Sequence, residues 1–171
     1  PIFLAEIADN TGGALSDSAR FLTYGMVKMF GTAGMALAFY KTAKPENKQK
    51  LKVTLIPLIV TSFFVGITEP FEFLFIFTAP VLWLVYSLVD GFFQMLAWLL
   101  DVRVCATNGI IDFIVYNIPA GAHLTRWPVF VALGLAETAA MYFIGKFLIL
   151  RFRMRTPGQE QQDEALSRAA N

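Results

Sequence analysis

Two uncharged apolar runs, each too short to cross a bilayer as a helix, constrain the fold more than any other feature of this chain. The runs cover residues 53–68 and 73–89, which is 16 and 17 residues, whereas a membrane-crossing helix needs about 20. A proline and two glutamates, in the sequence EPFE at 69–72, lie between them. Short apolar segments interrupted in this way are typical of discontinuous or re-entrant helices, which line substrate cavities in transporters. The sequence therefore predicts such a helix around GITEPFEF, residues 66–73.

The composition excludes several classes of protein. Hydrophobic side chains make up 56% of the 171 residues and charged ones 16%, against about 25% charged residues in an average soluble domain. A disordered chain lacks such apolar mass, and a net charge of +1 is far from the basic excess of a nucleic-acid binder. One histidine and one cysteine are too few for a zinc site. We expect an all-α, multi-pass membrane protein with no metal, no cofactor and no catalytic residue of its own.

Basic segments mark the expected cytoplasmic ends of the crossings. Residues 21–40 are apolar except for Lys28 and are followed by five lysines within residues 41–52. The last predicted crossing, residues 127–150, is followed by three arginines within residues 151–155. Short loops rich in lysine and arginine favour the cytoplasm, so an even number of crossings is expected between the two basic segments. Residues 1–20 are polar and are expected outside the hydrocarbon.

The two glutamates of the EPFE segment are expected to differ in role. Proline is favoured at the first position of a helix, so a helix is predicted to begin at Pro70 with Glu69 as N-cap and Glu72 reaching back as in a capping box. Glu72 is therefore predicted to be structural. A charge at membrane depth costs about 2.5–3.5 kcal/mol on insertion scales and usually faces a cavity or a partner. Glu69 is predicted to bind substrate, because its two oxygens can accept bonds from the hydroxyls of a sugar; the alternative is a cap or an ion pair.

The segment GITEPFEFLFIFTAP resembles the signature of the EIIC permeases of the bacterial phosphotransferase system (PTS), in the glucose, maltose and α-glucoside superfamily. Further segments carry the same resemblance: KMFG at 28–31, ALAFYKTAKPENKQK at 36–50, NGIIDFIVY at 108–116 and RFRMRTPGQE at 151–160. The resemblance covers nearly the whole chain and maps to the C-terminal part of EIIC. It implies that residues 1–155 belong to the membrane domain and that residues 156–171 are a cytoplasmic linker toward an EIIB domain.

The resemblance also implies site residues. Glu69 matches the family glutamate that binds sugar hydroxyls at the tip of a re-entrant hairpin, which Thr68 and Pro70 shape. Lys28 matches a polar position near the translocation path, although a lysine reaching to the membrane interface is an equal alternative. The family also uses a histidine and an arginine from an upstream segment. Because the chain begins at Pro1 without a methionine, we expect it to be a piece of a longer polypeptide.

The partners implied by the resemblance are those of the complete permease. These are a sugar (maltose, another α-glucoside or glucose), the EIIB phosphocysteine that phosphorylates it, EIIA and HPr further upstream in the phosphoryl relay, and the lipid bilayer. The complete permease is expected to be a homodimer in the bacterial inner membrane, and any enzymatic activity would belong to the EIIC–EIIB assembly.

Several features have plainer interpretations. Cys105, within Cys-Ala-Thr, is similar to the EIIB phosphocysteine motif but lacks the arginine that follows it there, and is expected to be a small buried hydrophobe. His123 is expected in a loop. Asp112 and Glu137 could pair with Arg126 or Lys146, or face water. Two other functions stay open: a non-transporting membrane scaffold or sensor, and an ion-coupled carrier that uses Glu69 as a cation ligand.

Overall fold

The computed structural model describes Phe21, Thr23 and residues 25–159. The predictions for residues 1–20 and for most of the linker, from residue 160 onward, lie outside the described residues. Within the described part the chain is helical and contains no strand, which confirms the all-α prediction. The α-helices there are α1 (Thr32–Thr42), α2 (Lys48–Val65), α3 (Glu69–Glu72), α4 (Pro80–Leu99), α5 (Ile110–Asp112), α6 (Ile118–Ala120), α7 (Ala122–Thr125) and α8 (Trp127–Phe152). Two π-helices, Val27–Gly31 and Phe113–Asn117, and a 3₁₀-helix, Pro45–Asn47, complete them.

Two of these helices are long and apolar enough to cross a membrane: α4, with 20 residues, and α8, with 26. Many of their large apolar side chains are exposed in this chain, Leu88 and Phe143 among them. Such faces are typical of helices that contact lipid or further helices. The first predicted crossing, residues 21–40, is helical from the π-helix Val27–Gly31 through the end of α1.

The structure divides the second uncharged run of the sequence, residues 73–89, between turns and a helix. Residues 73–78 form turns, and α4 starts at Pro80 and continues through Asp90 to Leu99. Asp90 does not interrupt α4 because its carboxylate accepts a hydrogen bond, at 3.4 Å, from the Gln94 amide one turn further on. A charged residue with a partner on the same helix face can therefore lie inside an otherwise apolar helix.

Helix α1 packs along α8, and this pair forms the centre of the molecule. The approach is close because the pair meets at small residues: a Cβ at Gly34 would lie 2.3 Å from the Thr138 carbonyl oxygen. Small residues at such interfaces allow helix backbones to come near one another. The Thr138 hydroxyl also donates to the Phe30 carbonyl at 3.1 Å, which ties α8 to the first π-helix.

An aromatic cluster holds the EPFE segment against α1. Phe71 and Phe75 are completely buried, and their ring centroids lie 5.9 and 5.2 Å from that of Phe39 on α1. Burying one phenylalanine side chain stabilises a fold by about 1.5–3 kcal/mol, and paired rings add to this. Phe71 and Phe75 therefore anchor the segment in the core, while Glu69 stays exposed.

Candidate sugar-binding turn

The turn that follows α2 is shaped by a glycine. Gly66 has left-handed backbone angles, φ 76° and ψ 23°, and its N–H donates to the Ser62 carbonyl at 2.9 Å, which ends the helix. Left-handed caps of this kind favour glycine. Close packing also requires glycine at this position, because a Cβ at Gly66 would lie 2.7 Å from the Thr107 carbonyl oxygen and 2.9 Å from the Asn108 Cα. The turn is thus packed backbone to backbone against the loop 105–109.

Of the three predicted site residues in the turn, one is buried and two are exposed. Thr68 is buried, with 8% of its surface exposed, and its carbonyl accepts from the N–H groups of Phe71 and Glu72 at 2.9 and 3.0 Å. Glu69 and Pro70 are exposed. Within the described part of the chain, the Glu69 carboxylate has neither a hydrogen bond nor an ion pair. The turn therefore presents an acid with free oxygens, as a hydroxyl-binding residue needs.

The predicted surroundings of Glu69 differ from those observed. The sequence led us to expect this carboxylate in a low-polarity cavity, but its side chain is exposed in this chain. The groove that the described residues form elsewhere lies between α4 and α8 and has an apolar lining, which includes Val89, Phe92 and Ala140. Within the described part of the chain, Gly66 and Thr68 of the turn are covered, whereas Glu69 and Pro70 are exposed.

The predicted capping box is also wrong. The helix begins at Glu69, one residue earlier than predicted, with Thr68 as N-cap and Pro70 within the first turn, and no side chain caps it. Glu72 does not reach back. Instead its Oε2 accepts a hydrogen bond from the Trp83 indole N–H at 3.1 Å. Glu72 therefore connects the turn to α4, eleven residues further along the chain.

Lys28 lies in the same neighbourhood as the turn, on the π-helix Val27–Gly31. Its Nζ donates to the Thr107 carbonyl at 2.7 Å, and Thr107 is the residue whose carbonyl faces Gly66. The Lys28 carbonyl accepts from the Ser62 hydroxyl at 2.6 Å. Single-turn π-helices often occur at functional sites. The structure thus joins Lys28 and the turn through one loop and one buried serine.

A buried asparagine that the sequence did not reveal holds this loop in place. Asn117 is fully buried. Its Oδ1 accepts from the Cys105 N–H at 2.9 Å, and its Nδ2 donates to the Cys105 carbonyl at 2.7 Å and to the Phe113 carbonyl at 3.1 Å. An amide pairing with both backbone groups of one residue mimics a strand neighbour. The signal available in the sequence was an asparagine directly after the apolar residues FIVY, 113–116.

Three other polar residues singled out from the sequence have local partners. Asp112 Oδ2 accepts from the Asn108 N–H and from its side-chain amide, both at 2.9 Å. Arg126 donates to the Leu100 carbonyl at 3.0 Å, and Lys146 to the Tyr142 hydroxyl at 3.5 Å. The pairs of Asp112 or Glu137 with Arg126 or Lys146 that the sequence left open are not formed among the described residues. Cys105 is partly exposed rather than buried.

No group of three or more histidine, cysteine, aspartate or glutamate residues within the described part is placed to hold a metal ion. The arrangement at the turn can instead accept and donate hydrogen bonds. It offers a free carboxylate, the backbone of a glycine-capped turn and, one loop away, a lysine ammonium.

Comparison with known proteins places this arrangement in a family. Residues 2–91, which include the π-helix of Lys28 and the whole turn, match the family described as "Phosphotransferase system, EIIC". The chain belongs to the PTS EIIC family. EIIC is a family of membrane permeases, so the resemblance stated from the sequence is confirmed, and the two long apolar helices agree with it.

Curated relatives extend the match beyond α4. The chain is 37% identical over 172 residues, 99% of its length, to the PTS system glucose-specific EIICBA component of Staphylococcus carnosus (strain TM300), and covers 25% of that protein. It is 40% identical over 80% of its length to the protein of the same name from Staphylococcus saprophyticus, covering 20%. It is 38% identical over 94% of its length to the PTS system maltose-specific EIICB component of Escherichia coli (strain K12), covering 31%. The chain thus spans between a fifth and a third of these relatives.

Proposed function

We propose that this chain forms part of a PTS sugar permease, in which the turn at residues 66–72 binds the sugar. The observation that carries the proposal is the Glu69 carboxylate, which is exposed and has no partner among the described residues, while Phe71, two residues further on, is buried. A carboxylate binds the hydroxyls of a sugar through its two acceptor oxygens. Thr68 and Pro70 shape the turn, and Lys28 supplies a cation one loop away.

In this proposal the site is completed by parts of the permease that this chain does not contain. The chain spans 20–31% of the length of the relatives it matches, and an upstream histidine and arginine of EIIC are the expected complement. These parts would cover the turn and give Glu69 the low-polarity surroundings that this chain alone does not. The turn would then lie at membrane depth as a re-entrant element, where broken helices hold a ligand during alternating access.

The substrate we propose is glucose, maltose or another α-glucoside, because relatives at similar identity carry glucose-specific and maltose-specific names. Transport would be coupled to phosphorylation of the sugar by an EIIB phosphocysteine, with phosphoryl groups delivered through HPr and EIIA. The permease would span the bacterial inner membrane several times as a homodimer. No step of phosphoryl transfer is assigned to a residue of this chain.

The test of the proposal is Glu69→Gln in the complete permease polypeptide, with equilibrium binding of labelled maltose and labelled glucose as the measurement. Losing a charge-assisted hydrogen bond is expected to weaken affinity by at least about tenfold, since such bonds contribute about 1.5–3 kcal/mol. Glu46→Gln is the matched control, because Glu46 is equally exposed but lies on the α1–α2 loop. Its affinity is expected to equal that of the wild type.

Each other outcome points to a named alternative. Equal affinities of Glu69→Gln and the wild type would refute the binding site. A wild-type protein that binds neither sugar, and is not stabilised by either, would favour a membrane scaffold or sensor. Sodium- or pH-dependent flux without sugar phosphorylation would favour an ion-coupled carrier with Glu69 as cation ligand.

A further inference from the structure

We infer that Ser62 is a positioning residue for sugar binding, which fixes Lys28 relative to the turn at residues 66–72. This inference rests on the proposed function, in which Lys28 and the turn belong to one site. Ser62 is completely buried in the last turn of α2. Nothing in the sequence singles it out, because a serine among apolar residues, as in IVTSFFVG, is common in membrane helices.

Ser62 contacts two different parts of the site, through its hydroxyl and through its carbonyl. Its hydroxyl donates to the Lys28 carbonyl at 2.6 Å, across 34 residues of sequence, and lies 3.2 Å from the Thr32 hydroxyl. Its own carbonyl accepts the Gly66 N–H at 2.9 Å, the bond that ends α2 and starts the turn. A single residue therefore connects the backbone that carries Lys28 with the backbone that carries Glu69.

The contact with Lys28 matters because the backbone there is a π-helix. The Thr32 N–H donates to the Val27 carbonyl. In an α-helix the acceptor would be the carbonyl of the next residue, Lys28. The Lys28 carbonyl receives the Ser62 hydroxyl instead, with the Thr32 hydroxyl as a second donor at the longer distance of 3.3 Å. Of these two side-chain donors to the Lys28 carbonyl, removal of the Ser62 hydroxyl leaves the Thr32 hydroxyl at 3.3 Å. The π-helix then loses its short link to α2.

The position of this backbone decides where the Lys28 ammonium lies. Its Nζ donates to the Thr107 carbonyl at 2.7 Å, and that carbonyl faces Gly66 at the start of the turn. A hydrogen bond of this kind requires the ammonium within a few tenths of an ångström of its place. Without Ser62 the π-helix can relax, and Lys28 then no longer lies at the distance from the turn that the bound sugar requires.

The experiment is a double-mutant cycle of Ser62→Ala and Lys28→Met in the complete permease polypeptide, with equilibrium sugar binding and thermal unfolding as measurements. A hydrogen bond that contributes about 0.5–1.5 kcal/mol corresponds to an expected loss of about two- to tenfold in affinity for Ser62→Ala. Lys28→Met is expected to lose at least as much. The double variant is expected to bind as Lys28→Met does, because Ser62 acts only through Lys28.

Thr54→Ala is the matched control. Thr54 lies on the same helix α2, and its hydroxyl donates to the Lys50 carbonyl at 3.2 Å on the exposed side. It is expected to leave affinity unchanged. Ser62→Cys is the second variant: it keeps the size of the side chain with a much weaker donor, and it carries the test if Ser62→Ala does not fold.

Three results would overturn the positioning role. They are wild-type affinity in the Ser62 variants, wild-type affinity in Lys28→Met, and independent losses that add in the double variant. A merely structural serine would lower the unfolding temperature and add to the Lys28 loss. Failure of the proposed function is separate, because it would show as absent sugar binding in the wild type or as an unaffected Glu69→Gln variant.

Discussion

At the scale of single residues, the two glutamates of the EPFE segment lie three positions apart and have different surroundings. Glu69 is exposed without a partner in the described part of the chain, whereas Glu72 is half-buried and bonded to the Trp83 indole. The difference comes from a partner rather than from the helix face, because residues three apart lie on the same side of a helix. The Trp83 indole donates to Glu72, and Phe71 between the two glutamates is buried beside Phe39 on α1.

We therefore expect Glu72→Ala to lower stability more than sugar affinity. The variant leaves the partly buried Trp83 N–H without its carboxylate acceptor, and hydrogen bonds to charged groups contribute about 1.5–3 kcal/mol. Thermal unfolding of the complete permease measures the change, and Glu72→Gln, which keeps an acceptor oxygen, is expected to lose less. A Glu72→Ala protein with a normal unfolding temperature that cannot bind sugar would reverse the roles of the two glutamates.

At the scale of elements, the first π-helix is held by side chains from both of its neighbours. Ser62 of α2 and Thr138 of α8 donate to its carbonyls at 2.6 and 3.1 Å. Glu137 of α8 also faces it, since a Cβ at Gly31 would lie 2.6 Å from the Glu137 Oε1. Glu137 is fully buried, and neither oxygen has a hydrogen-bond partner among the described residues.

We expect Glu137→Met to leave stability unchanged or to raise it by about 1–3 kcal/mol, the cost of a buried polar group without a partner. Methionine has a similar length and is apolar, so it fills the same space. The free energy of unfolding of the complete permease is the measurement, with Glu46→Gln as an exposed control expected to change it by less than about 0.5 kcal/mol. A clear loss of stability in Glu137→Met would show that the carboxyl has a partner that stabilises the fold.

At the scale of the whole molecule, the first basic segment contacts the start of the predicted linker, which directly follows the second basic segment. The Gly158 carbonyl accepts from the Lys44 N–H at 3.2 Å and from the Asn47 amide at 3.1 Å, and the Gln159 amide donates to the Thr42 carbonyl at 3.1 Å. The start of the predicted linker, residues 156–159, is therefore packed on the loop between α1 and α2. Thr156 is buried there.

We expect Gly158→Ala to release this segment. Gly158 has a φ of 87°, and a Cβ there would lie 2.8 Å from the Ala43 Cβ and from Leu51. The left-handed conformation alone costs about 1–2 kcal/mol for another residue, so tryptic cleavage after Arg155 is expected to become about tenfold faster. Gly91→Ala is the matched control, because no atom lies within 4 Å of a Cβ at that helical position. Unchanged cleavage in Gly158→Ala would show that the docked segment is not fixed by this glycine.

The sequence by itself determined the helical class, the membrane character and the family. These follow from the composition and from the segment GITEPFEF. A high apolar content and a proline between acidic residues restrict the conformation of the backbone, whatever the rest of the fold is. It also predicted different roles for Glu69 and Glu72, and the binding role of Glu69 stays a prediction. It misplaced the start of α3 by one residue, because helix ends depend on partners such as the Trp83 indole that lie beyond the local sequence.

Only the tertiary structure decided which residues meet. Ser62, Thr107 and Asn117 lie 34, 79 and 12 residues from the groups they bond, and a serine, a threonine carbonyl or an asparagine carries no sign of such a partner in its own neighbourhood. Hydrogen bonds across α2, the first π-helix and the loop 105–109 arise from packing that brings distant backbone together. The residue types of the candidate site were therefore evident from the local sequence, whereas the contacts between these residues depend on the fold.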